Sequence, residues 1–308
     1  MEDDTKRSDE PPAGLRFSVR WGALALASMA ALAWLAPSGL VLLVFLGIVI
    51  ATHEAGHLLV ARRVGMIPTE YFWGFGPEVC SIERDGCRYG VKVLFLGGYV
   101  KLHGMTPSST LPSGFPEHGT YRSASHRGRL ATILAGPLVN LATAVAVFAA
   151  AALLEGASLP AALRSAGADL WFVVAGTAEA LWIWASGIGP YVASLSDTSG
   201  ATEAPVRFLS PVAQAQVSGW AVDNGTATSL RWLGILSCAV GVVNLLPLPP
   251  LDGSHALVAG LEAVLNRARP GRTVRLDAAR LVPLAYLTVG VLVFLSASAL
   301  VLDLRDIT

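Results

Sequence analysis

Two histidines and a glutamate form the strongest chemical signal in the chain, within the segment His53-Glu54-Ala55-Gly56-His57. Four residues of an α-helix turn through about 400°, so the two imidazoles project from one face and can bind one metal ion. Glu54 lies beside the first histidine, where its carboxylate can take a proton from a water that the metal holds. The spacing therefore predicts a catalytic zinc centre with His53 and His57 as ligands and Glu54 as general base.

A third protein ligand is needed, because catalytic zinc usually takes three protein ligands and keeps one position open. Asp252 is the strongest candidate, since it follows the proline-rich run Leu246-Pro-Leu-Pro-Pro-Leu251, which cannot continue a helix. Unwound backbone at membrane depth is tolerated only where protein or a water-filled cavity shields it. His103, His118 and His126 are the other candidates for the third ligand. Asp252 could instead cap a helix, and His255 is expected to support the site without binding the metal.

The composition indicates a membrane protein. Hydrophobic residues make up 53% of the 308 residues and charged residues 14%, whereas soluble domains carry roughly 25% charged residues. Lys plus Arg and Asp plus Glu are each 22, so no net basicity indicates a nucleic-acid partner. The three cysteines include no C-x-x-C pair, which disfavours a disulfide scaffold and a cysteine zinc cluster.

Uncharged stretches of roughly 20 residues are long enough to cross a bilayer. The predicted spans are a helical hairpin over 17–61, which is broken at Pro37-Ser38-Gly39 and carries the two histidines, followed by 130–154, 231–253 and 281–302. A single long tilted helix is the alternative to the hairpin. The aromatic segment 170–196 contains Glu179 and a Gly-Ile-Gly-Pro break, and we expect an interfacial helix there. The expected fold class is an all-α polytopic membrane protein with about five transmembrane helices and a small membrane-associated β-sheet near the active site.

Loop charges predict the orientation, because Lys and Arg are enriched in cytoplasmic loops. A charged tail (1–16), Arg20 just after it, and the loops 62–129 and 254–280 hold all of the 22 basic residues except Arg164, Arg207, Arg231 and Arg305. We therefore expect a multi-pass cell-membrane protein with its N-terminus in the cytoplasm. The segment 155–230 and the C-terminal tail 303–308 are then extracytoplasmic.

The loop 62–129 divides into two parts. Residues 70–105 are rich in aromatic and β-branched residues and contain the turn Arg84-Asp85-Gly86, which predicts a β-hairpin sheet against the membrane. Residues 106–129 contain several Pro, Ser and Gly residues and are predicted to be a flexible loop.

Four motifs together resemble the site-2 protease family of intramembrane zinc metalloproteases. They are His53 to His57, Phe95-Leu-Gly-Gly-Tyr-Val-Lys101, Gly136-Pro-Leu-Val-Asn140, and Asn244 to Gly253. The resemblance covers about 38–155 and 205–300. It implies that Zn²⁺ is bound by His53, His57 and Asp252 and that Glu54 is the general base. It also implies that Gly97, Gly98, Tyr99, Asn140 and Asn244 contact or position substrate.

The sequence departs from the family pattern in two places. Bacterial members with the Gly-Gly-Tyr-Val-Lys motif commonly carry PDZ domains before the last motif, but 155–230 shows no run of alternating strands, and we expect no PDZ domain. The usual Leu-Asp-Gly-Gly-His reads Leu-Asp-Gly-Ser-His from Leu251 to His255. This change leaves the expected ligand in place.

The resemblance implies cleavage of transmembrane segments during regulated intramembrane proteolysis. The expected partner is a single-pass membrane-protein substrate in the lipid bilayer, such as an anti-sigma factor, a remnant signal peptide or a tethered transcription regulator. A transmembrane helix must be unwound before cleavage, and the strand edge Leu96–Lys101 can hold the unwound segment by β-addition; a plain bulge at Gly97-Gly98 is the alternative. The rival functions are a transporter or channel with an intramembrane ion path and a non-catalytic scaffold.

Overall fold

The computed structural model describes residues 15–105, 110–189, 191–192, 208–268 and 274–307. The predicted tail 1–16 therefore falls almost wholly outside the described residues. The long helices are α1 (Val19–Leu35), α2 (Pro37–Arg63), α3 (His126–Leu154), α4 (Leu159–Ser186), α5 (Pro211–Asp223), α6 (Thr226–Asn244), α7 (Asp252–Ala268) and α8 (Val282–Ile307). The strands are β1 (Arg16–Phe17), β2 (Pro68–Arg84) and β3 (Cys87–Leu102), and short 3₁₀ helices cover Glu117–Gly119 and Ala278–Leu281.

Serine and proline residues determine where the site-bearing helices begin. The Ser125 hydroxyl accepts a hydrogen bond from the Gly128 amide at 3.1 Å and caps α3. Pro37 is the first residue of α2, where its missing N–H costs nothing because the first amides of a helix have no intrahelical partner. Helix α2 therefore has a defined start, and both histidines lie in its second half.

The helical core is built where α3 packs against its neighbours. The Phe148 ring of α3 is 2% exposed and packs beside Ala162 and Ala166 of α4 and Cys238 of α6. Gly234 makes room for this ring, because an added Cβ would lie 2.5 Å from Phe148 Cε1. Small residues let helices approach closely in membranes, and here they allow α3 to occupy the middle of the bundle.

The sheet is antiparallel, with strand order β1-β2-β3. At the hairpin turn Asp85 and Gly86 have φ of 53° and 70°, the positive pair that a two-residue Asp-Gly turn requires. Both long strands bend, so that Glu70 in the first half of β2 pairs with Arg88 and also with Lys101. The last segment of β3, from Gly98 to Leu102, pairs only with β2 among the described residues, so no described strand occupies its other, open edge.

Five helices are long and apolar enough to cross a membrane. They are α2, α3, α4, α6 and the part Val282–Asp303 of α8. The expected mostly helical, polytopic fold with about five spans and a small sheet is confirmed. The set of helices differs from the expectation, because α1 has only 17 residues whereas α4 has 28.

Three element boundaries differ from those expected. The helix expected over 170–196 runs from Leu159 to Ser186 and has the length and composition of a span; Pro160 in its first turn marks the earlier start. The helix expected over 231–253 ends at Asn244, before the proline-rich run. The loop expected over 254–280 contains most of α7, whose amphipathic pattern is too polar for a span.

Candidate active site

Two helices bring the three metal-binding candidates together. Helix α2 supplies His53 and His57, and Asp252 is the first residue of α7. Asp252 Oδ2 lies 3.0 Å from His53 Nε2 and 3.3 Å from His57 Nε2, and the two Nε2 atoms are 3.2 Å apart. Among the described residues, these three form the group of His, Cys, Asp or Glu side chains close enough to hold one metal ion.

The spacing of the three ligand atoms fits zinc. In a tetrahedral site with bonds of about 2.0–2.1 Å, neighbouring ligand atoms lie about 3.3–3.4 Å apart. The three separations are 3.0, 3.2 and 3.3 Å. Two imidazoles and one carboxylate also match the three-ligand set of catalytic zinc sites.

The second nitrogen of each imidazole is held from α3. His57 Nδ1 donates to the Thr132 carbonyl oxygen at 2.8 Å, so Nε2 carries the lone pair that a metal needs. His53 Nδ1 lies 3.2 Å from the Asn140 side-chain amide. Asn140 is fully buried and its Oδ1 has no hydrogen-bond partner among the described residues. Flipping the side-chain amide by 180° would let Oδ1 accept a hydrogen bond from His53 Nδ1–H. In that tautomer of His53, Nε2 carries the lone pair that binds a metal.

Two glycines allow α2 and α3 to approach at the site. A Cβ on Gly136 would lie 2.4 Å from His57 Nε2 and 2.7 Å from His53 Nε2. A Cβ on Gly56 would lie 2.7 Å from the Ala135 carbonyl oxygen. Any side chain at either position would push the imidazoles or the helices apart, because real Cβ atoms do not approach this closely.

Glu54 faces a cavity of about 140 Å³ that also contacts His57 and Asp252. The open edge of β3 forms another wall of this cavity through Gly98, Tyr99 and Val100, and the Val100 backbone hydrogen-bonds Glu54. The general-base candidate, two metal-binding candidates and a strand edge that no described strand pairs with therefore share one cavity.

The residues expected to contact substrate have different surroundings. Gly98 and Tyr99 line the cavity, whereas Gly97 packs against Phe75, whose ring lies 2.4 Å from an added Cβ. Asn140 contacts His53 and so supports a metal ligand. Asn244 donates to the Val240 carbonyl at 3.0 Å within its own helix. Neither asparagine lines this cavity.

The Tyr99 hydroxyl points away from the reaction chemistry. It donates to Glu70 Oε2 at 2.6 Å, and Lys101 Nζ bonds the other oxygen at 2.9 Å. Burial and this bond to Glu70 raise the pKa of Tyr99. The phenol thus stays protonated at neutral pH and fixes the strand, and it does not act as an acid or base.

Sequence reasoning missed two supporting residues, Thr132 and Gly136. Thr132 acts through its backbone carbonyl, which no side-chain pattern reveals. Gly136 lies inside the Gly-Pro-Leu-Val-Asn motif, where a glycine followed by proline within a long apolar helix could have indicated a close approach of backbone to another group.

The sequence profile of Peptidase family M50 matches residues 41–288. The matched region contains every residue of the metal cluster and most of the fold around it. The chain belongs to this family, the site-2 proteases.

Individual relatives share the core of the chain. The zinc metalloprotease Rip1 of Mycobacterium tuberculosis is 42% identical over 107 residues, which cover 35% of this chain and 26% of Rip1. A Mesorhizobium japonicum protein named "Putative zinc metalloprotease mll0638" is 25% identical over 323 aligned positions, covering 72% of this chain and 88% of that protein. The match to Rip1 thus spans about a quarter of that relative's length.

Proposed function

We propose that this chain is an intramembrane zinc metalloprotease that hydrolyses peptide bonds in or near transmembrane segments of membrane proteins. The observation that carries the proposal is the convergence of His53 Nε2, His57 Nε2 and Asp252 Oδ2 within 3.3 Å of one another, beside the cavity that Glu54 faces. The family membership supports it.

Each residue has a defined part in the proposed reaction. Bound zinc supplies a Lewis acid that polarises the scissile carbonyl and acidifies the attacking water. His53, His57 and Asp252 hold the ion, while Thr132 and Asn140 orient the two imidazoles. Glu54 takes a proton from the attacking water and returns it to the leaving amine. His53 and His57 are 7% and 8% exposed, which limits the access of bulk water to their ring nitrogens.

The open edge of β3 provides a place for the unwound substrate. Amides of successive residues in a strand point to opposite edges, so Gly98 shares its edge with Val100, whose backbone contacts Glu54. A substrate strand added here replaces the hydrogen bonds that its helix loses on unwinding. It also passes directly over the general base.

The central test compares Glu54→Gln with Glu83→Gln, a matched change at an exposed hairpin position. Each full-length protein is reconstituted with a tagged single-pass protein, and cleavage and zinc content are measured. We expect Glu54→Gln to slow cleavage about 10²–10⁴-fold while about one equivalent of zinc remains, and Glu83→Gln to cleave normally. Cleavage by Glu54→Gln at the wild-type rate would contradict the proposal. Metal transport without cleavage would indicate a transporter, and zinc binding with neither would indicate a scaffold.

A second experiment tests the substrate edge with Gly98→Pro and Gly98→Ala. An added Cβ at Gly98 would lie 3.0 Å from Ile50 Cγ2 and 3.1 Å from Glu54 Cγ, so both variants crowd the site, but only proline removes the amide. We expect cleavage by Gly98→Pro to fall well below that by Gly98→Ala, with equal zinc content. Equal rates for the two variants would show that substrate is extended elsewhere.

We also propose the orientation and the substrate class. The distribution of basic residues supports a cytoplasmic N-terminus and an extracytoplasmic C-terminus, an orientation in which α1 crosses the bilayer and α4 stays at its outer surface. The cavity beside Glu54 supports a single-pass substrate such as an anti-sigma factor or a remnant signal peptide. Engineered cysteines at Ser113 and Asn224, both exposed, test the orientation. Labelling of both from the same side of the membrane would overturn it.

A further inference from the structure

A second cavity, of about 350 Å³, adjoins the cavity that Glu54 faces. Met105 lines both of them, so the two spaces meet at this residue. The wall of the second cavity is rich in polar side chains and includes three arginines and two glutamates. We call the two spaces the catalytic cavity and the second cavity.

Two helices lead from the catalytic cavity to the second cavity. On α7, Asp252 lines the catalytic cavity, and Val258 and Glu262 further along the helix line the second. On α3, Thr132 lines the catalytic cavity, and Arg129, about one turn nearer the start of the helix, lines the second. The two cavities therefore lie end to end along the groove between α3 and α7.

The open edge of β3 leads the same way. Val100 lies on this edge beside Glu54, and the chain continues to Gly104 and Met105, which line the second cavity. An extended chain covers the four residues from Val100 to Gly104 in about 13 Å, at 3.3 Å per residue. A substrate strand added along the edge thus brings side chains four or five residues from the cleaved bond to the second cavity.

Tyr121 offers an unused hydrogen-bond donor in the wall of the second cavity. The side chain is only 5% exposed, and its hydroxyl has no hydrogen-bond partner among the described residues. Burial raises the pKa of Tyr121 to about 12, so the hydroxyl keeps its proton at neutral pH. A buried donor is costly without an acceptor, and a ligand in the second cavity can supply one.

The acidic side chains of the second cavity already have partners. Glu117 binds Arg122 through both carboxylate oxygens, at 2.7 and 2.8 Å. Glu262 accepts from Arg129 at 2.6 Å and from the Leu276 amide at 2.7 Å. Two of the three arginines in the wall are thereby neutralised, which leaves one positive charge.

That charge belongs to Arg275, which is exposed. Its Nη2 donates to the Arg122 carbonyl oxygen at 2.6 Å, a neutral acceptor, and no described carboxylate forms an ion pair with it. The charge of Arg275 also acts on the Tyr121 hydroxyl. An unused donor and an unneutralised cation therefore belong to one wall of the same cavity.

We propose that the second cavity is a substrate subsite that selects a carboxylate side chain four or five residues from the cleaved bond. Tyr121 donates a hydrogen bond to this carboxylate, and Arg275 supplies the opposite charge. A lysine there would face Arg275, and an apolar side chain would leave Tyr121 without an acceptor. The inference rests on the proposed protease function and names a selectivity of that same site.

The first test measures selectivity on a tagged single-pass protein whose cleaved bond is mapped by mass spectrometry. One Asp or one Lys is placed at each position from three to seven residues on either side of that bond. We expect Asp at position four or five on one side to give a kcat/KM about tenfold above that of Lys, with smaller differences elsewhere. Equal rates for Asp and Lys at every position would overturn the subsite.

Variants of the wall identify the groups that select. Arg275→Glu should reverse the preference, so that Lys is cleaved faster than Asp, and Tyr121→Phe should reduce the preference for Asp to about threefold. Arg84→Glu, a matched reversal on the exposed hairpin, should keep the tenfold preference. A folding defect would slow both substrates equally and would not reverse their order. An unchanged preference in Arg275→Glu would contradict the proposal.

A crosslinking test does not need turnover. Photoreactive benzoylphenylalanine replaces Val258, which lines the second cavity, or Leu257, which does not and points about 100° away on the same helix. In the full-length Glu54→Gln protein, we expect the probe at Val258 to capture the Asp substrate in preference to the Lys substrate, and the probe at Leu257 to show no preference.

The two tests separate the two proposals. Cleavage by the wild-type protein without any substrate crosslink at Val258 would overturn the subsite and leave the protease function standing. No cleavage of any substrate would contradict the protease function, and the crosslinks at Val258 would still decide whether the second cavity binds the carboxylate.

Discussion

Helices α3 and α4 are neighbours of almost equal length, with 29 and 28 residues, and both have the hydropathy of a membrane span. In the most apolar window, 39% of α3 is buried inside the protein but only 6% of α4. Helix α4 exposes Trp171, Phe172 and Trp182, each more than 70% exposed. Hydropathy thus identifies both helices as candidate spans, but it does not show which one holds the site.

The residues that distinguish α3 are small or polar. Gly136 leaves room for the imidazoles, Asn140 and Thr132 hold their outer nitrogens, and alanines pack around Phe148. Buried polar residues are expensive at membrane depth unless they have a function. Small and polar residues within an apolar helix are therefore a better guide to the site than hydropathy.

The largest expected contrast is between Gly136→Val in α3 and Gly176→Val in α4. The new side chain at 136 would occupy the space of both Nε2 atoms, whereas an added Cβ at Gly176 meets nothing within 4 Å. We expect zinc content to fall from about one equivalent to below about a tenth for Gly136→Val and to stay unchanged for Gly176→Val. Full zinc occupancy in Gly136→Val would mean that the two helices are not held close together.

The next contrast concerns stability, and it uses Phe148→Ala and Phe172→Ala. Phe148 is 2% exposed and Phe172 is 78% exposed. Removing a buried ring costs about 3–5 kcal/mol, so Phe148→Ala should strongly lower the resistance to unfolding in detergent. Phe172→Ala should change this resistance little. Equal losses of resistance in the two variants would show that α4 is packed against something other than lipid.

The smallest effect is expected at Asn140, whose side chain supports a ligand from the outside. Asn140→Ala should weaken zinc binding about 10–100-fold, because His53 loses the group that holds its ring. Asn140→Asp keeps an acceptor oxygen and should recover much of the affinity. Competition with a chelator measures both, and an alanine variant with wild-type affinity would exclude this supporting role.

The residues that the structure brings together at the site could be predicted from the sequence, because their spacing is local or rests on a distinctive motif. His53, Glu54 and His57 share one helical turn, and Asp252 follows prolines that end a helix. The Asp85-Gly86 turn likewise specified the hairpin. In each case the signal lies within a few residues.

What the sequence did not reveal depends on contacts between distant segments. The support of His53 by Asn140 joins residues 87 positions apart, and the motif gave no means to separate this contact from one with substrate. Helices α5 and α7 were missed because both are too short or too polar to stand out as spans. The start of α4 was placed too late because Arg164 and Asp169 made its first turns look like a loop.

The two imidazoles differ in how easily mutation can remove their supports. His57 is held by a backbone carbonyl, and every amino acid at position 132 supplies that same oxygen as long as the helix persists. His53 is held by the Asn140 side chain, which almost any missense change removes. A genetic screen for weak alleles should therefore recover Asn140 far more often than Thr132, although both residues are fully buried in the same helix.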